Sequence, residues 1–577
     1  MRRFIFLLAL VASLVPLRAQ APAPAAPKLQ RSEDGRFTVV EATIPQMQAA
    51  MAKGQVTSRQ LVEQYLTRIG LYEDRLNAAL AINARALQEA DALDRERAQG
   101  KIRGPLHGIP VALKDNIHTT NMPTTGGALA FLGYTPPYEA TLTKNLTAAG
   151  AIIIAKTGLT ELANWVAGNP NAMPGNYNAV GGFAYNPYDP RPDPRPDPGD
   201  GRPVLQTGGS SSGVGTAANL WAGSVGSDTG GSIISPSNAN MLVGIRPTIG
   251  RISRYGVIPI TADHDTAGPM TRTVADSAIM LGAMEGASPD PNDAATRTCT
   301  PPPNRDYTKF LNASGLKGRR IGVPRVFYID RVTLPGETTP RGGVNADQSK
   351  LMGDAIAVLK QQGAVVVDPA DLPSFAAKTA NDNFPLFEFC TGAEHAKGKD
   401  SACSAPFKYG MKRDFNAWLA SLGPSAPVKT LTELRNWNLA HAKANAIRYQ
   451  QSRLDISDEM DLAVDKARYD TDRAKDLRLS REQGIDAVLK MHKLDAFITP
   501  GGSGAGVAAR AGYPIIAVPF GMVPNAPQQP FPAGFDAKPA PYGVGFVGAQ
   551  CSEPTLIGIA YAFEQATKRR VPPASAP

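Results

Sequence analysis

Helical segments and short apolar strands alternate along this chain, and this alternation limits the folds available to it. The predicted helices at 57–69 and 555–567 have their apolar residues on one face, and each predicted strand is a short apolar run. The helices are predicted at 57–69, 84–98, 141–149, 347–362 and 555–567, and the strands at 111–114, 151–155, 364–367 and 515–518. Such alternation is typical of the α/β class, in which helices cover both faces of one β-sheet.

Composition fits an enzyme-sized globular protein and argues against a nucleic-acid partner. The 577 residues are 43% hydrophobic and 19% charged, which is an ordinary globular balance. The net charge is +9, and because Arg2, Arg3 and Arg18 precede residue 20, the rest of the chain carries +6. A nucleic-acid binder would show basic stripes, and no dense run of Lys and Arg is present.

The N-terminus has the features of an export signal. Arg2 and Arg3 precede an apolar run at 4–17, and Leu-Arg-Ala at 17–19 resembles a small-residue cleavage site. The run is too short to span a bilayer comfortably. We therefore predict a signal peptide at 1–19, a periplasmic or secreted protein, and no stable membrane insertion once the signal is removed.

The chain after the predicted signal peptide divides into three segments of different composition. A flexible Ala/Pro-rich leader is predicted at 20–36, one large domain at 37–570 and a tail at 571–577. Within the domain, residues 187–203 repeat Asp, Pro and Arg. Because proline donates no backbone hydrogen bond, this insert is predicted to be a stiff surface loop.

The four cysteines fit an exported chain. Cys390 and Cys403 are near enough in sequence to close a small disulfide loop, which export would permit. Cys299 and Cys551 have no evident sequence partner. No Cys-x-x-Cys or His-x-x-x-His cluster occurs, so no metal site is expected.

Two glycine-serine loops carry the strongest chemical signal. Gly-Gly-Ser-Ser-Ser-Gly lies at 208–213 and Gly-Ser-Asp-Thr-Gly-Gly-Ser at 226–232. Successive backbone N–H groups in such loops can point at one anion, so a serine at the loop end would sit beside an oxyanion hole. Walker-type phosphate binding is not expected, because no lysine follows Gly213.

A serine nucleophile needs a base, and the sequence offers two kinds. Lys114 ends an apolar strand, and burial would favour its neutral amine. Alternatively, 209–213 matches Gly-x-Ser-x-Gly, the nucleophile elbow of α/β-hydrolases, which would make Ser211 the nucleophile of a Ser-His-Asp esterase. The histidines available to it are His264, His395, His441 and His492. An elbow follows a strand directly, however, and 203–207 is a poor strand.

Three segments taken together resemble the motifs of the amidase signature family. They are Pro-Val-Ala-Leu-Lys-Asp-Asn at 110–116 and the two glycine-serine loops, in that order. The resemblance extends from about Val56 to about Thr567 and includes 244–248, 265–270 and 552–555. It implies a single large α/β domain on a mixed sheet, an amidase acting on a small-molecule amide, and neither metal nor organic cofactor.

The resemblance also implies roles for individual residues. Lys114 resembles the buried base, Ser210 the bridging serine of a cis peptide bond, and Ser232 the nucleophile that forms the acyl-enzyme. The N–H groups resembling the oxyanion hole belong to Thr229, Gly230, Gly231 and Ser232, and the residues expected to support the loops are Ser211 and Asp228. The implied products are an acid and ammonia or an amine.

Some residues depart from the family pattern. The stretch between Ser210 and Ser232 is slightly short, and Ile234 stands where many members have an arginine that would anchor an acidic substrate. Because it lacks this arginine, the chain resembles peptide amidases and aryl acylamidases more than the glutamine-using subunit of the tRNA amidotransferase. Besides the Ser211 esterase, a non-catalytic binding protein on an amidase scaffold is the remaining alternative, although all three catalytic residues are present.

Overall fold

The apolar runs of the sequence form the strands of one large mixed sheet in the computed structural model, which describes residues 35–401 and 403–577. The strands are β1 Ala79–Ile82, β2 Pro110–Lys114, β3 Ile152–Thr157, β4 Tyr177–Asn178, β5 Gly182–Phe183, β6 Gly223–Asp228, β7 Val243–Arg246, β8 Thr266–Thr271, β9 Arg320–Gly322, β10 Val365–Val367, β11 Ala496–Pro500, β12 Ile515–Val523 and β13 Ala540–Val547. Eleven of these described strands join in the order β1-β3-β2-β6-β8-β7-β12-β13-β11-β9-β10, and β4 pairs with β5.

Helices surround this sheet. They are α1 Ile44–Ala52, α2 Ser58–Leu76, α3 Ala86–Ala98, α4 Thr141–Ala148, α5 Glu161–Asn164, α6 Ser211–Ala217, α7 Ile234–Ala239, α8 Val274–Met284, α9 Ala346–Gln361, α10 Pro373–Ala376, α11 Pro406–Ser421, α12 Leu431–Ala440, α13 Ser452–Asp458, α14 Lys466–Leu477, the π-helix Arg478–Ile485, α15 Asp486–His492, α16 Ala505–Ala511 and α17 Glu553–Thr567. The predicted capping box is present, since Thr57 accepts from the Gln60 N–H and Gln60 caps the Thr57 N–H. The predicted α/β class with a mixed sheet is confirmed.

The central strands are buried on both faces because their side chains are almost entirely apolar or small. Every residue of β2, β3, β6 and β8 is buried. β2 and β6 are parallel neighbours, with Leu113 opposite Val225. Their carboxyl ends therefore meet at one edge of the sheet, and this brings the end of β2 close to the second glycine-serine loop.

A second apolar cluster lies beside the main core and is rich in aromatic rings. It includes Trp165, Phe407 and Phe415 from segments that the sequence analysis left without a motif. Phe407 lies near the start of α11, and Trp165 follows the short α5. This cluster borders the second glycine-serine loop, as described below.

Two disulfides join the four cysteines. Cys390 pairs with Cys403, as the sequence permits, and Cys299 pairs with Cys551 across 252 residues. The second pairing was not foreseen, because nothing local in sequence links its ends. Asp400 lies near Cys390 and Cys403, but bonded sulfurs provide no thiolate ligands for a metal.

The Pro-rich insert is on the surface, as predicted, and closes on itself. The Asp193 N–H donates to the Arg202 carbonyl at 2.8 Å, and the Val204 N–H to the Arg191 carbonyl at 3.0 Å. Arg191 also stacks on the ring of Phe535, 4.3 Å from its centroid.

The predicted tail is part of the domain. Ala576 is buried, and its carbonyl accepts from Arg68 Nη2 at 2.8 Å. The tail at 571–577 therefore packs against α2. The predicted signal peptide at 1–19, and the leader up to residue 34, lie outside the described residues. None of the helices in the described ranges combines the length and the apolar character needed to cross a bilayer.

Candidate active site

Lys114 ends β2 as a fully buried amine. Its Nζ donates to the Ser227 Oγ at 3.0 Å and to the Ser227 carbonyl at 3.2 Å. Asn116 Nδ2 donates to the same Oγ at 2.9 Å. The two parallel strands thus place a lysine, an amide and a hydroxyl in one hydrogen-bonded group.

The surroundings of Lys114 favour its neutral form. Burial lowers the pKa of Lys114 to about 8, and the nearby carboxyl groups of Asp228 and Asp265 limit that fall. An ordinary lysine has a pKa of about 10.4. The amine of Lys114 is therefore suited to accept a proton close to neutral pH.

Ser232 lies between β6 and α7, partly exposed to solvent. A Cβ built on Gly209 would lie 3.2 Å from the Ser232 Oγ, so glycine allows the hydroxyl to approach the first glycine-serine loop. Gly231, immediately before it, has φ +131°, which favours glycine. Within the described chain, the Ser232 hydroxyl makes no hydrogen bond, which leaves it available to a ligand.

Asp228 holds the second loop in shape. Its Oδ1 accepts from the Gly231 N–H at 2.8 Å and its Oδ2 from the Ile233 N–H at 2.7 Å. Arg246 Nη1 donates to Oδ1 at 2.8 Å, and both side chains are buried. This is the loop-supporting geometry that the sequence analysis expected of Asp228.

The oxyanion-hole assignment needs one correction. Because the Gly231 N–H is engaged by Asp228, it cannot also point at an oxyanion in this geometry. The N–H groups of Thr229, Gly230 and Ser232 have no hydrogen-bond acceptor among the described residues. These three remain the candidate donors, and Gly230 is exposed.

The first loop places its three serines in different environments. Ser210 Oγ bonds to Ser212 Oγ at 2.9 Å and accepts from the Ser212 N–H at 3.2 Å, so it caps α6. Ser212 Oγ lies 2.6 Å from Thr157 Oγ1. Ser211 Oγ donates to Asn176 Oδ1 at 3.0 Å.

Two implied features of Ser210 are absent. No hydrogen bond joins Ser210 to Lys114 or to Ser232 in the described chain, and the cis peptide bonds found there all precede prolines. The bridge is therefore not formed in this geometry. The physical reason is that the Ser210 hydroxyl is engaged at the start of α6.

The Ser211 esterase alternative is not favoured. Ser211 is fully buried, no strand leads directly into it, and no histidine of the described chain hydrogen-bonds to it. His264 instead contacts Arg473 Nη1 at 3.1 Å. A nucleophile elbow requires an exposed serine that directly follows a strand and has a histidine within hydrogen-bond reach.

Three residues of the site were missed by sequence reasoning. Ser227, Asn116 and Asp265 all lie inside quoted motifs, but nothing in the sequence tells which motif side chains face Lys114. Asp265 accepts from Thr229 Oγ1 at 2.5 Å, and burial raises the pKa of Asp265 to about 7. It therefore fixes one residue of the nucleophile loop.

Known proteins similar to this chain are amidases and their amidotransferase relatives. The family model described as Amidase matches residues 60–557. A probable amidase of Arabidopsis thaliana is 34% identical over 93% of this chain and 92% of its own length. A glutamyl-tRNA(Gln) amidotransferase subunit of Synechococcus sp. is 30% identical over 91% of this chain and 96% of its own. The structure of native peptide amidase from Stenotrophomonas maltophilia superposes with TM-score 0.76 at 34% identity, covering 93% of this chain and 99% of that one.

Proposed function

Because this chain belongs to the amidase family and is a hydrolase of amides, we propose that it cleaves uncharged carboxylic amides through a Ser232 acyl-enzyme. The observation that carries the proposal is that the buried Lys114 amine binds Ser227 of the second glycine-serine loop. The same loop carries the unengaged Ser232 hydroxyl and the unengaged N–H groups of Thr229, Gly230 and Ser232. A nucleophile, a base and oxyanion donors are the three parts that acyl transfer requires.

The proposed reaction has two steps. Ser232 Oγ attacks the amide carbon while its proton passes towards Lys114, and the N–H groups of Thr229, Gly230 and Ser232 stabilise the oxyanion. The C–N bond then breaks, and the proton goes to the leaving nitrogen, which departs as ammonia or an amine. Water attacks the acyl-enzyme with the same base and releases the acid.

We propose Ser210 as the hydroxyl that carries the proton between Ser232 and Lys114. This role requires Ser210 Oγ to leave Ser212 Oγ, its partner at 2.9 Å. Ser227 is a second candidate, because its hydroxyl lies 3.0 Å from Lys114 Nζ.

Neutral peptide amides are the substrates that we propose first. The solved structure from Stenotrophomonas maltophilia is a peptide amidase, and Ile234 provides no cation where an acidic substrate would need one. We do not propose the glutamine-dependent tRNA reaction, because the sequence contains no dense run of Lys and Arg and Ile234 replaces the arginine that many members have.

The test is ammonia or amine release from primary amides, peptide amides and anilides. Wild type should turn over at least one class, and Ser232→Ala and Lys114→Ala should each lose about 10³-fold or more. Ser235→Ala, which changes an exposed serine three residues away, is the matched control and should retain full activity. Full turnover by folded Ser232→Ala would reject Ser232 as nucleophile.

We also propose that the protein is exported. The sequence at 1–19 supports this, and so do two disulfides, which persist in oxidising compartments. Fractionation of the native host with N-terminal sequencing should find a periplasmic or secreted chain that lacks the first 19 residues. A cytosolic chain that begins at Met1 would contradict export.

A further inference from the structure

A cavity of about 630 Å³ has six aromatic residues in its lining and includes Asn238 of α7, the helix that follows Ser232. We call it the aromatic cavity. Its rings belong to Phe327, Tyr328, Phe375, Phe384, Phe387 and Tyr542. A volume of this size is typical of small-molecule sites.

One wall of the aromatic cavity touches the residues around Ser232. Gly502 lines the cavity, and a Cβ built on it would lie 3.6 Å from Ile234 Cγ2. Ala505, at the start of α16, lies 3.3 Å from a Cβ built on Gly231. The cavity therefore adjoins Ile234, and the helix α16 that forms part of its wall also approaches Gly231.

The opposite wall reaches the same loop through stacked rings. The guanidinium of Arg510 lies over the rings of Phe387 and Phe389, 5.7 and 5.4 Å from their centroids. Phe389 stacks on Phe407 with centroids 4.6 Å apart. Phe407 Cζ lies 4.0 Å from a Cβ built on Gly230. Phe389 and Phe407 are not part of the cavity lining, and they link it through ring contacts to Gly230.

The charges at the cavity are already paired. Arg341 contacts Glu337 at 2.9 Å and also binds Glu388 at the rim. Arg510 contacts Asp476 at 3.1 Å. Since no charged side chain of the described lining lacks an opposite partner, a charged ligand would gain no ion pair to offset its desolvation. The cavity is suited to an uncharged group.

Two hydroxyls of the lining have no partner. Tyr328 and Tyr542 are 4% and 6% exposed, and their hydroxyls make no hydrogen bond within the described chain. Buried polar groups are normally hydrogen-bonded, and an exception needs an explanation. Both oxygen atoms are inaccessible to solvent, so a ligand reaches them only if the surrounding side chains move.

We propose that the aromatic cavity receives the acyl part of the amide and selects a bulky, uncharged aromatic group. N-acyl amides of aromatic amino acids have this chemistry. The assignment rests on the proposed function, because it assumes that the substrate's amide carbon lies at Ser232. Specificity then comes from residues of 327–388 and 501–542, outside the catalytic motifs.

Gly506 offers a direct test. It lines the cavity, and a Cβ built on it meets no atom within 4 Å, so Gly506→Leu adds a side chain to the cavity from an open position. Gly353 in α9 is equally open, exposed and outside the cavity, so Gly353→Leu is the matched control. The probes are N-acetyl-phenylalaninamide, N-acetyl-alaninamide and N-acetyl-glutamic acid α-amide, followed by ammonia release.

We expect wild type to favour the phenylalanine amide over the alanine amide by about tenfold or more in kcat/KM, with the glutamic acid amide poorest. Gly506→Leu should reduce that preference to about twofold or less by losing activity on the phenylalanine amide alone, and Gly353→Leu should behave as wild type. An unchanged preference in Gly506→Leu, or none in wild type, would overturn the cavity assignment while leaving Ser232-dependent hydrolysis intact. Absence of ammonia release from every probe by folded wild type would overturn both the assignment and the proposed function.

Discussion

Lys114 is a fully buried amine. Its side chain donates a hydrogen bond to the neutral hydroxyl of Ser227. Burial lowers the pKa of Lys114 to about 8, whereas Asp228 and Asp265 act in the opposite direction. The neighbouring carboxylates are themselves engaged, Asp228 with Arg246 and Asp265 with Thr229. The balance leaves an amine that titrates where a general base is most effective.

The pH dependence of hydrolysis follows from this balance. Protonated Lys114 cannot accept a proton, so kcat/KM should rise with pH up to about 8 and then level off. Lys114→Arg should be inactive throughout, because a guanidinium stays protonated. Initial rates of ammonia release between about pH 6 and 9.5 measure this, a range that spans the titration of a general base. A flat profile for wild type would contradict Lys114 as the base.

Single substitutions can distinguish Ser210 from Ser227 as the residue that carries the proton to Lys114. Ser210→Ala should lower kcat about 10²- to 10⁴-fold if Ser210 carries the proton, whereas Ser227→Ala should cost less than about tenfold and mainly shift the pH profile by removing a partner of Lys114. Steady-state kinetics of both folded variants decide between them. The reverse order of effects would assign the relay to Ser227.

At the scale of single elements, the sequence predicted those helices and strands whose signals are local. The helix at 347–362 closed by Gly363 is observed as α9, and Gly363 has φ +81°. The strand predicted at 515–518 continues to Val523 as β12, since Pro519 and Gly521 interrupt the apolar pattern without ending the pairing. β8 was not predicted, because Gly268 and Pro269 are residues that usually argue against a strand. Pairing with neighbouring strands nevertheless stabilises it.

The disulfide of Cys390 with Cys403 lies between two segments that carry aromatic rings near the nucleophile loop. The Cys390 N–H donates to the Ser404 carbonyl at 3.1 Å, and Phe389 stacks on Phe407. The disulfide thus joins the two segments that hold these rings.

Replacing Cys390 and Cys403 together by serine should therefore raise KM for aromatic amides about threefold to tenfold. It should also lower the free energy of unfolding by about 3 kcal/mol, as for loops of similar length. Replacing Cys299 and Cys551 together is the control, because that disulfide lies outside these two segments. It should reduce stability without changing KM. Kinetics and urea unfolding measure the two effects, and equal KM in both double variants would contradict a role for the Cys390–Cys403 loop.

At the scale of the whole molecule, sequence reasoning reached the fold class and the one large domain. It could not reach the strand order, because β7 and β12 pair across more than 250 residues. It also missed the disulfide of Cys299 with Cys551 for the same reason. Ser210 shows the limit within the site, because a motif gives a residue's position but not the hydrogen bond that its side chain adopts.

The C-terminal segment shows how distant parts of the chain stabilise each other. Arg68 donates to the carbonyls of Ala218, Asn219, Ala576 and Pro577. Deleting 571–577 removes two of these acceptors from a buried cation. We expect a loss of about 1–3 kcal/mol in the free energy of unfolding with unchanged kcat. Urea unfolding at constant pH measures it, and unaltered stability would contradict this packing.

The measurement that tests the account most directly is the site of labelling by a fluorophosphonate, which forms a P–O bond with an activated serine and releases fluoride. Peptide mapping of the labelled wild-type chain should find the phosphonyl group on Ser232. Labelling should be abolished in Ser232→Ala and strongly slowed in Lys114→Ala, with both variants folded. A label on Ser211, or undiminished labelling of Ser232→Ala, would contradict the proposal that Ser232 is the nucleophile.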